Sequence, residues 1–424
     1  MKKKNILLIL FALLTFAVAQ GQVANTTKAL LGAWTGKLDL GTAKLTLVFH
    51  FEQKDGFVAC TMDSPDQGAK GIGVHKDYLS EDSVALSVQA LGVTYRAKLN
   101  DGQLDGTFMQ GGLRLPLVLK KGELERRRPQ TPKTPYPYQT EEITFVNQAD
   151  NATLSGTLTY PVDYETMKKK GVPVVIMVSG SGLQNRDEEL FDHKPFLVLA
   201  DHLARHGIAS LRYDDRGFGA SKGGDRVQKD ATTLDYKRDA EAGIEYLRSL
   251  KKFSKVGVIG HSEGGNIAFM LGADKEVDFV VSMAGVGVKA DTALTAQANK
   301  IMELQGQPTR LSVEQYRQNV QALQSPWMDW FVGYDPTADI AAVRCPVMAI
   351  NGDKDCQVIS SLNLPSIRQL LQKNKHHLIK EYPSLNHLFQ HCQTGLPTEY
   401  GNIEETISPE VLTDITEWIN GLCE

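Results

Sequence analysis

Lys255-Val256-Gly257-Val258-Ile259-Gly260-His261-Ser262-Glu263-Gly264-Gly265 decides how this chain is read, because an apolar run drives straight into a serine framed by glycines. Beyond it Ile267, Ala268, Met270 and Leu271 recur at helical spacing, so Ser262 is predicted on a sharp turn between a buried strand and a helix. A serine hydroxyl becomes a useful nucleophile only where it projects from a sheet toward a base, and small residues two places to either side let the backbone bend that tightly. The pattern G-x-S-x-G occurs again at Gly219-Ala220-Ser221-Lys222-Gly223. That copy follows the polar run Tyr213-Asp214-Asp215-Arg216-Gly217, with no strand entering and no helix leaving, and reads as loop punctuation.

On the N-terminal side of the serine, strands alternate with helices back to about residue 139, the pattern of a mostly parallel sheet covered on both faces. Glu142 to Asn147 and Ala152 to Tyr160 are predicted to open it as a hairpin. Val172 to Val178 is a continuous apolar strand ending in Ser179-Gly180-Ser181-Gly182. A helix around Phe196 to His206, a strand from Ile208 to Tyr213 and a helix from Leu234 to Leu250 then return the chain to the strand before Ser262. His202 and His206 stand one turn apart, but a zinc helix of the HExxH type needs glutamate where Leu203 stands, so no metal site is expected there.

Farther upstream, residues 123–138 carry Arg126, Arg127 and Arg128 among Pro129, Pro132, Pro135 and Pro137, the composition of a semi-rigid, solvated linker. Residues 25–122 read as a small all-β domain, a barrel or a sandwich. Leu45, Leu47, Phe49 and Phe51 alternate, as do Val84, Leu86 and Val88, with Asn100-Asp101-Gly102 and Gln110-Gly111-Gly112 as turn signals. Residues 1–19 have the form of a signal peptide: Lys2, Lys3 and Lys4, an apolar stretch from Ile6 to Ala17, then Ala17-Val18-Ala19. That stretch is too short for a membrane anchor, so the chain is expected to be exported to the periplasm or the extracellular space. Loss of the leader's lysines moves the formal charge from −4 to −7, which argues against nucleic acid or an anionic membrane as partner.

Beyond Ser262, Phe279 to Met283 and Val347 to Ile350 are further strands. The second runs into Asn351-Gly352-Asp353-Lys354-Asp355, and a last strand from His376 to Tyr382 leads to Leu385-Asn386-His387-Leu388-Phe389. A serine nucleophile needs a base, an acid to orient the base, and two donors for the developing oxyanion. These two strand ends offer the acid and the histidine in the order serine, acid, histidine.

Five stretches together make the chain resemble the secreted bacterial serine esterases of the alpha/beta-hydrolase superfamily that carry an N-terminal β-domain. They are Gly180-Ser181-Gly182 with Arg186-Asp187-Glu188, Asp215 to Gly219, Gly260 to Gly265, Gly352 to Asp355 with Gln357-Val358, and Asn386-His387. The resemblance implies an alpha/beta-hydrolase fold over 139–424, with Asp355 as the acid and His387 as the base. Asp353 competes for the acid role but reads better as an aspartate capping its own turn. The motif geometry and the resemblance together imply an oxyanion hole from the backbone N–H groups of Ser181 and Glu263.

Residues 286–343 are too long for a plain loop and are patterned as helices, Leu294 to Leu304 and Ser312 to Leu323 with a Ser312/Gln315 capping box, a helical cap over the site. Trp327, Met328, Trp330 and Phe331 are candidates to line an acyl pocket there, against their alternative as the cap's own core. Cys356 and Cys392 flank the expected acid and base; export favours oxidation, so a bridge between them is one reading and two unpaired thiols the other. The expectation is an exported serine hydrolase of carboxylic esters, acting on a small-molecule ester through an acyl-enzyme, with no cofactor and no metal. A serine peptidase or acyltransferase on the same fold, and a non-catalytic binding protein on a hydrolase scaffold, are the alternatives. A propeller-bearing peptidase is disfavoured, since blades of about forty residues each would not fit in the N-terminal unit.

Overall fold

The computed structural model describes residues 28–423 apart from 42–43, 56, 68, 125 and 226–229, so the expected leader at 1–19 lies outside the described residues. The chain divides into two compact units that part between residues 125 and 126. Among the described residues no helix is long and apolar enough to cross a membrane.

The first unit is one antiparallel sheet of β1 (Gly32–Asp39), β2 (Lys44–Lys54), β3 (Phe57–Ser64), β4 (Ala69–Gly73), β5 (His75–Leu79), β6 (Ser83–Val88), β7 (Val93–Asn100), β8 (Gln103–Gln110) and β9 (Leu113–Lys121). Its order is β4-β3-β2-β1-β9-β8-β7-β6-β5, so the two edge strands are neighbours in sequence, separated only by Val74. Laid flat, those edges would stand roughly 38 Å apart at about 4.8 Å per strand spacing. One linking residue cannot span that, so the sheet curls until its edges approach, and the barrel form prevails over the sandwich. Its inward positions, among them Trp34, Phe49, Phe51, Leu86, Tyr95 and Leu119, make one closed apolar core. His50 and His75 each face an aspartate, Asp63 at 2.9 Å and Asp77 at 2.8 Å.

The second unit contains strands β10 (Thr140–Asn147), β11 (Ala152–Thr159), β12 (Pro173–Val178), β13 (Ala209–Tyr213), β14 (Lys255–His261), β15 (Val280–Met283), β16 (Val347–Gly352) and β17 (Leu378–Tyr382). Their order is β10-β11-β13-β12-β14-β15-β16-β17. The β10–β11 hairpin joins antiparallel to β13, and every pair from there on is parallel. The helices are α1 (Tyr164–Met167), α2 (Pro195–Arg205), α3 (Thr233–Ser249), α4 (Glu263–Ala273), α5 (Ala290–Leu304), α6 (Val313–Gln321), α7 (Pro326–Gly333), α8 (Thr337–Ala342), α9 (Ser360–Leu370) and α10 (Pro409–Gly421).

Side-chain alternation sorts the apolar strands between two cores, which is why their sequences read as unbroken apolar runs. Val174, Ile176 and Val178 of β12 pack with Ala240, Ile244 and Leu247 of α3 and Ile267 and Leu271 of α4. On the other face Val175, Met177 and Ile259 meet Phe196, Leu199 and Leu203 of α2 and Val411 and Ile415 of α10. β12 and β14 pair in parallel at the centre of the sheet and so present their carboxyl ends side by side, where a crevice forms in open parallel sheets.

Within 286–343, helices α5, α6 and α7 pack on one another. The expected capping box closes α6: the Gln315 N–H donates to Ser312 Oγ at 3.1 Å and the Ser312 N–H to Gln315 Oε1 at 2.9 Å. The last helix, α8, differs from the other three, since Ile340 and the following Val343 are buried in the main core beside α4.

In the proline-rich segment Arg127, Pro129, Lys133, Thr134, Pro135 and Pro137 are exposed, as a solvated linker requires, but Arg128 and Gln130 are tied down. Arg128 donates to the carbonyls of Phe191 (2.7 Å), Gly401 (2.9 Å) and Ile403 (3.0 Å), and Gln130 Nε2 to that of Ile407 (2.7 Å). Burial pushes the Arg128 guanidinium down to about 10. Composition predicted exposure because prolines cannot build a core, but a guanidinium fork offers enough donors to gather several loop carbonyls at once.

Candidate active site

Ser262 is the single residue between β14 and α4, at φ 55° and ψ −117°, a region that a non-glycine residue occupies only under constraint. Its neighbours show why small residues are required. A Cβ on Gly260 would strike the carbonyl of Gly264, and one on Gly264 would strike that of Val178. The Ser262 N–H is fixed to Met283 O at 2.8 Å on the adjoining strand. On the other side, a Cβ on Gly180 would lie 3.2 Å from the Ser262 Cβ, which brings the loop after β12 against Ser262.

Asp355 and His387 come from the ends of β16 and β17. The loops carrying them touch backbone to backbone, since a Cβ on Gly352 would strike Leu385 O and the Lys354 N–H donates to that same carbonyl at 3.0 Å. Asp355 is buried, and its Oδ1 accepts from the N–H groups of Gln357 (2.7 Å) and Val358 (2.8 Å). Its Oδ2 lies 2.7 Å from His387 Nδ1. Asp353, on the same turn, instead accepts the Ser384 N–H at 2.6 Å and does not reach the histidine. The histidine loop is shaped by Asn386, whose Oδ1 accepts from Leu388 N and Gln390 N, each at 3.0 Å.

The donors expected for an oxyanion flank the serine. Among the described residues the backbone N–H groups of Ser181 and Glu263 are bonded to no other group, and the latter opens α4, whose dipole favours negative charge there. The Gly180 N–H is already taken by Glu188 Oε1 at 2.8 Å, so of the first two N–H groups after β12 and Ser179 it is that of Ser181 that stays open.

Asp214, Asp215 and Arg216 hold this region together, a role that spacing alone did not reveal. Asp215 accepts from Ser179 Oγ (3.1 Å) and the Gln184 N–H (2.8 Å), clamping both ends of the loop that carries Ser181. Burial drives its carboxyl well above the usual range, the two bonds only partly opposing that. Asp214 accepts from the Arg186 side chain and N–H, and the fully buried Arg216 pairs with Asp239 and Asp150. Ser221 belongs to the same scaffold. Its Oγ donates to Asp214 O at 2.7 Å and accepts the Ser155 N–H at 2.8 Å, so this second G-x-S-x-G serine is a buried pin.

Of the four cap residues considered for an acyl pocket, Trp327 alone bonds to the elbow, its Nε1 donating to Glu263 Oε1 at 2.8 Å. It stacks on Phe331 at 5.4 Å and Trp330 on Tyr334 at 5.2 Å, while Phe331 is buried and Met328 caps onto Ser325 Oγ. The aromatics thus serve first as the cap's own packing. The Glu263 carboxylate also takes Thr233 Oγ1 at 2.5 Å and the Ser181 side chain. Burial raises its pKa, and the three donors offset only part of that rise.

Of the two readings of Cys356 and Cys392 the unpaired one holds: both thiols are free and point to different carbonyls, Gly395 O at 3.2 Å and Ser384 O at 3.5 Å. Burial pushes Cys356 up to about 12 and Cys392 up to about 11, so both are poor thiolates. His202 and His206 stack on each other at 4.3 Å, and among the described residues no cluster of His, Cys, Asp or Glu is arranged to hold a metal.

An eight-stranded sheet with a parallel core, a strained serine between its central strand and a helix, and a carboxylate and a histidine at the next strand ends decide the architecture. Residues 126–424 adopt the alpha/beta-hydrolase fold. Residues 194–328 of this hydrolase unit match the family described as Serine aminopeptidase, S33. Esterase EstD of Thermotoga maritima is 24% identical over 267 residues, 58% of this chain and 62% of its own length. The chain therefore spans about three fifths of the curated relative it matches. Among solved structures, the Pyrococcus furiosus esterase Pf2001 is 17% identical with a TM-score of 0.45, covering 70% of this chain and 98% of its own. Est1E from Butyrivibrio proteoclasticus is 15% identical with a TM-score of 0.44, covering 66% of this chain and 100% of its own.

Proposed function

We propose that this chain is an exported serine hydrolase of carboxylic esters that works through an acyl-enzyme on Ser262, Asp355 and His387. One observation carries the reading. The 2.7 Å contact with Asp355 occupies Nδ1 of His387 and leaves Nε2 as the nitrogen able to take a proton from Ser262. Ser262 Oγ bonds to the ester carbonyl carbon as its proton passes to Nε2, and the electron pair of the carbonyl moves onto oxygen, facing the N–H groups of Ser181 and Glu263. Collapse breaks the bond to the alkoxy oxygen, which departs with the proton from His387. Water then repeats the sequence on the acyl-enzyme, His387 again taking and returning a proton, and releases the carboxylic acid.

The substrate proposed is a small-molecule ester. The matched family is named for an aminopeptidase and the curated relative for an esterase, so aryl esters and aminoacyl anilides are to be compared directly. Export rests on the lysine-led apolar stretch before Ala19 and is tested by the N-terminal sequence of the secreted protein. For the site, steady-state turnover of a short aryl ester decides. Ser262→Ala is expected to lose on the order of 1000-fold or more in kcat. Ser221→Ala should stay within about threefold while losing roughly 1–3 kcal/mol of stability, because it removes the partner of the part-buried Ser155 N–H and of the Asp214 carbonyl. A folded Ser221→Ala enzyme without activity, beside an active Ser262→Ala, overturns the assignment.

A further inference from the structure

The residue before the nucleophile makes a pair of contacts that the triad does not require. His261 is buried on β14, and its Nδ1 lies 2.9 Å from Glu188 Oε1 while its Nε2 lies 2.9 Å from the backbone carbonyl oxygen of His387. Its ring faces that of His387 with centroids 4.8 Å apart. Glu188 is also buried, and the same Oε1 accepts the Gly180 N–H at 2.8 Å. Its backbone holds φ 51°, a left-handed conformation that costs a non-glycine residue about 1–2 kcal/mol and persists only where the surroundings impose it.

The backbone contact fixes one proton of the ring, and the charge of Glu188 decides the other. A backbone carbonyl can only accept, so Nε2 of His261 carries a proton. A carboxylic acid would donate to a bare Nδ1, whereas an ionised Glu188 can only accept, so with the carboxylate charged Nδ1 carries a proton too. The ring is then an imidazolium paired with a carboxylate. Burial would lower the His261 pKa, but Glu188, the hydrogen bond to it, the His387 carbonyl and Asp355 together raise it above its ordinary value.

We propose that Glu188 and His261 are positioning residues for the reaction: a buried carboxylate–imidazolium pair that holds the oxyanion loop and the backbone of the base loop in register with Ser262. The proposal rests on the assignment of Ser262, Asp355 and His387 above. Asp355 fixes the imidazole of His387 from its Nδ1, and His261 fixes the main chain from which that imidazole hangs. Glu188, by engaging the Gly180 N–H, orients the peptide that leads to Ser181. One ion pair therefore ties together three of the four arms of the site, those after β12, β14 and β17, and a displacement of about 1 Å in such a constellation can cost on the order of 100-fold in rate.

Glu188→Gln separates positioning from packing because it keeps the shape and removes the charge. A carboxamide cannot, through one atom, accept from Gly180 and also donate to Nδ1, so a neutral His261 must give up one of the bonds. The experiment compares wild type, Ser262→Ala, Glu188→Gln and His261→Gln for kcat, KM and Tm on a short aryl ester, with the ring nitrogen signals of His261 read by NMR in the wild-type protein. Expected are kcat losses of about 10- to 100-fold in both pair variants, KM within about threefold, and an imidazolium signature for His261 with protons on both nitrogens. A folded Glu188→Gln enzyme with wild-type kcat, or a wild-type His261 ring carrying a single proton, overturns the proposal. If wild type and Ser262→Ala turn over equally, the nucleophile assignment fails instead, and the ring signals still decide whether the ion pair exists.

Discussion

Asp353 and Asp355 stand two positions apart on one turn, yet their environments give them different work. Asp355 takes two backbone N–H groups on one oxygen and the His387 ring on the other, so its geometry is over-determined. Asp353 spends its side chain on Ser384, fixing the start of the histidine loop. Asp355→Asn would present a donor or a weaker acceptor to Nδ1 and disturb the tautomer, so turnover should fall roughly 1000- to 10,000-fold. Asp353→Asn keeps an oxygen for the Ser384 N–H and should stay within about threefold. Steady-state kinetics on the two folded variants decides, and equal losses would refute the division of labour.

At the scale of elements, the elbow and the cap meet through one side chain. Glu263 opens α4 with its backbone N–H facing the site, while its carboxylate receives Thr233 from the N-terminal turn of α3 and Trp327 from α7. The seat of α7 is thereby linked to a residue expected to stabilise the oxyanion. Trp327→Phe keeps the stack on Phe331 and removes only the N–H, a hydrogen bond to a buried acidic group worth roughly 1.5–3 kcal/mol. The cap should open more often, raising the rate of limited proteolysis within residues 286–343 by about tenfold or more at sub-denaturing temperature. An unchanged cleavage rate there would remove the link.

For the whole molecule, the division falls between residues 125 and 126, at the start of the proline-rich segment. Arg128 and Gln130 bind carbonyls at Phe191, Gly401, Ile403 and Ile407, and Gln130 Oε1 accepts the Thr406 and Ile407 N–H groups. A chain of residues 126–424 contains the whole candidate site and both cores of the hydrolase unit, and should retain ester turnover. Residues 139–424 lack the clamp, and six lost hydrogen bonds at roughly 0.5–1.5 kcal/mol each should lower the Tm by about 6 °C or more. Matching melting curves for the two fragments would show that the clamp contributes nothing.

The sequence by itself determined the alternation of strand and helix, the turn that bears Ser262 and the loops that bear Asp355 and His387, because each is a local pattern: apolar period, glycine spacing, turn residues at a strand end. It also determined the Ser312/Gln315 capping box, whose partners lie within one helical turn. Only the tertiary structure decided the rest. Glu188, His261 and the main chain of His387 meet from two loops and the end of β14, with 73 positions between the first pair and 126 between the second, and no local pattern records such a meeting. The Arg128 clamp spans 275 positions to Ile403, so composition read it as solvated. The fate of Cys356 and Cys392 followed the same rule, since nearness of two loops does not fix where two thiols point, and here each turns to a different carbonyl.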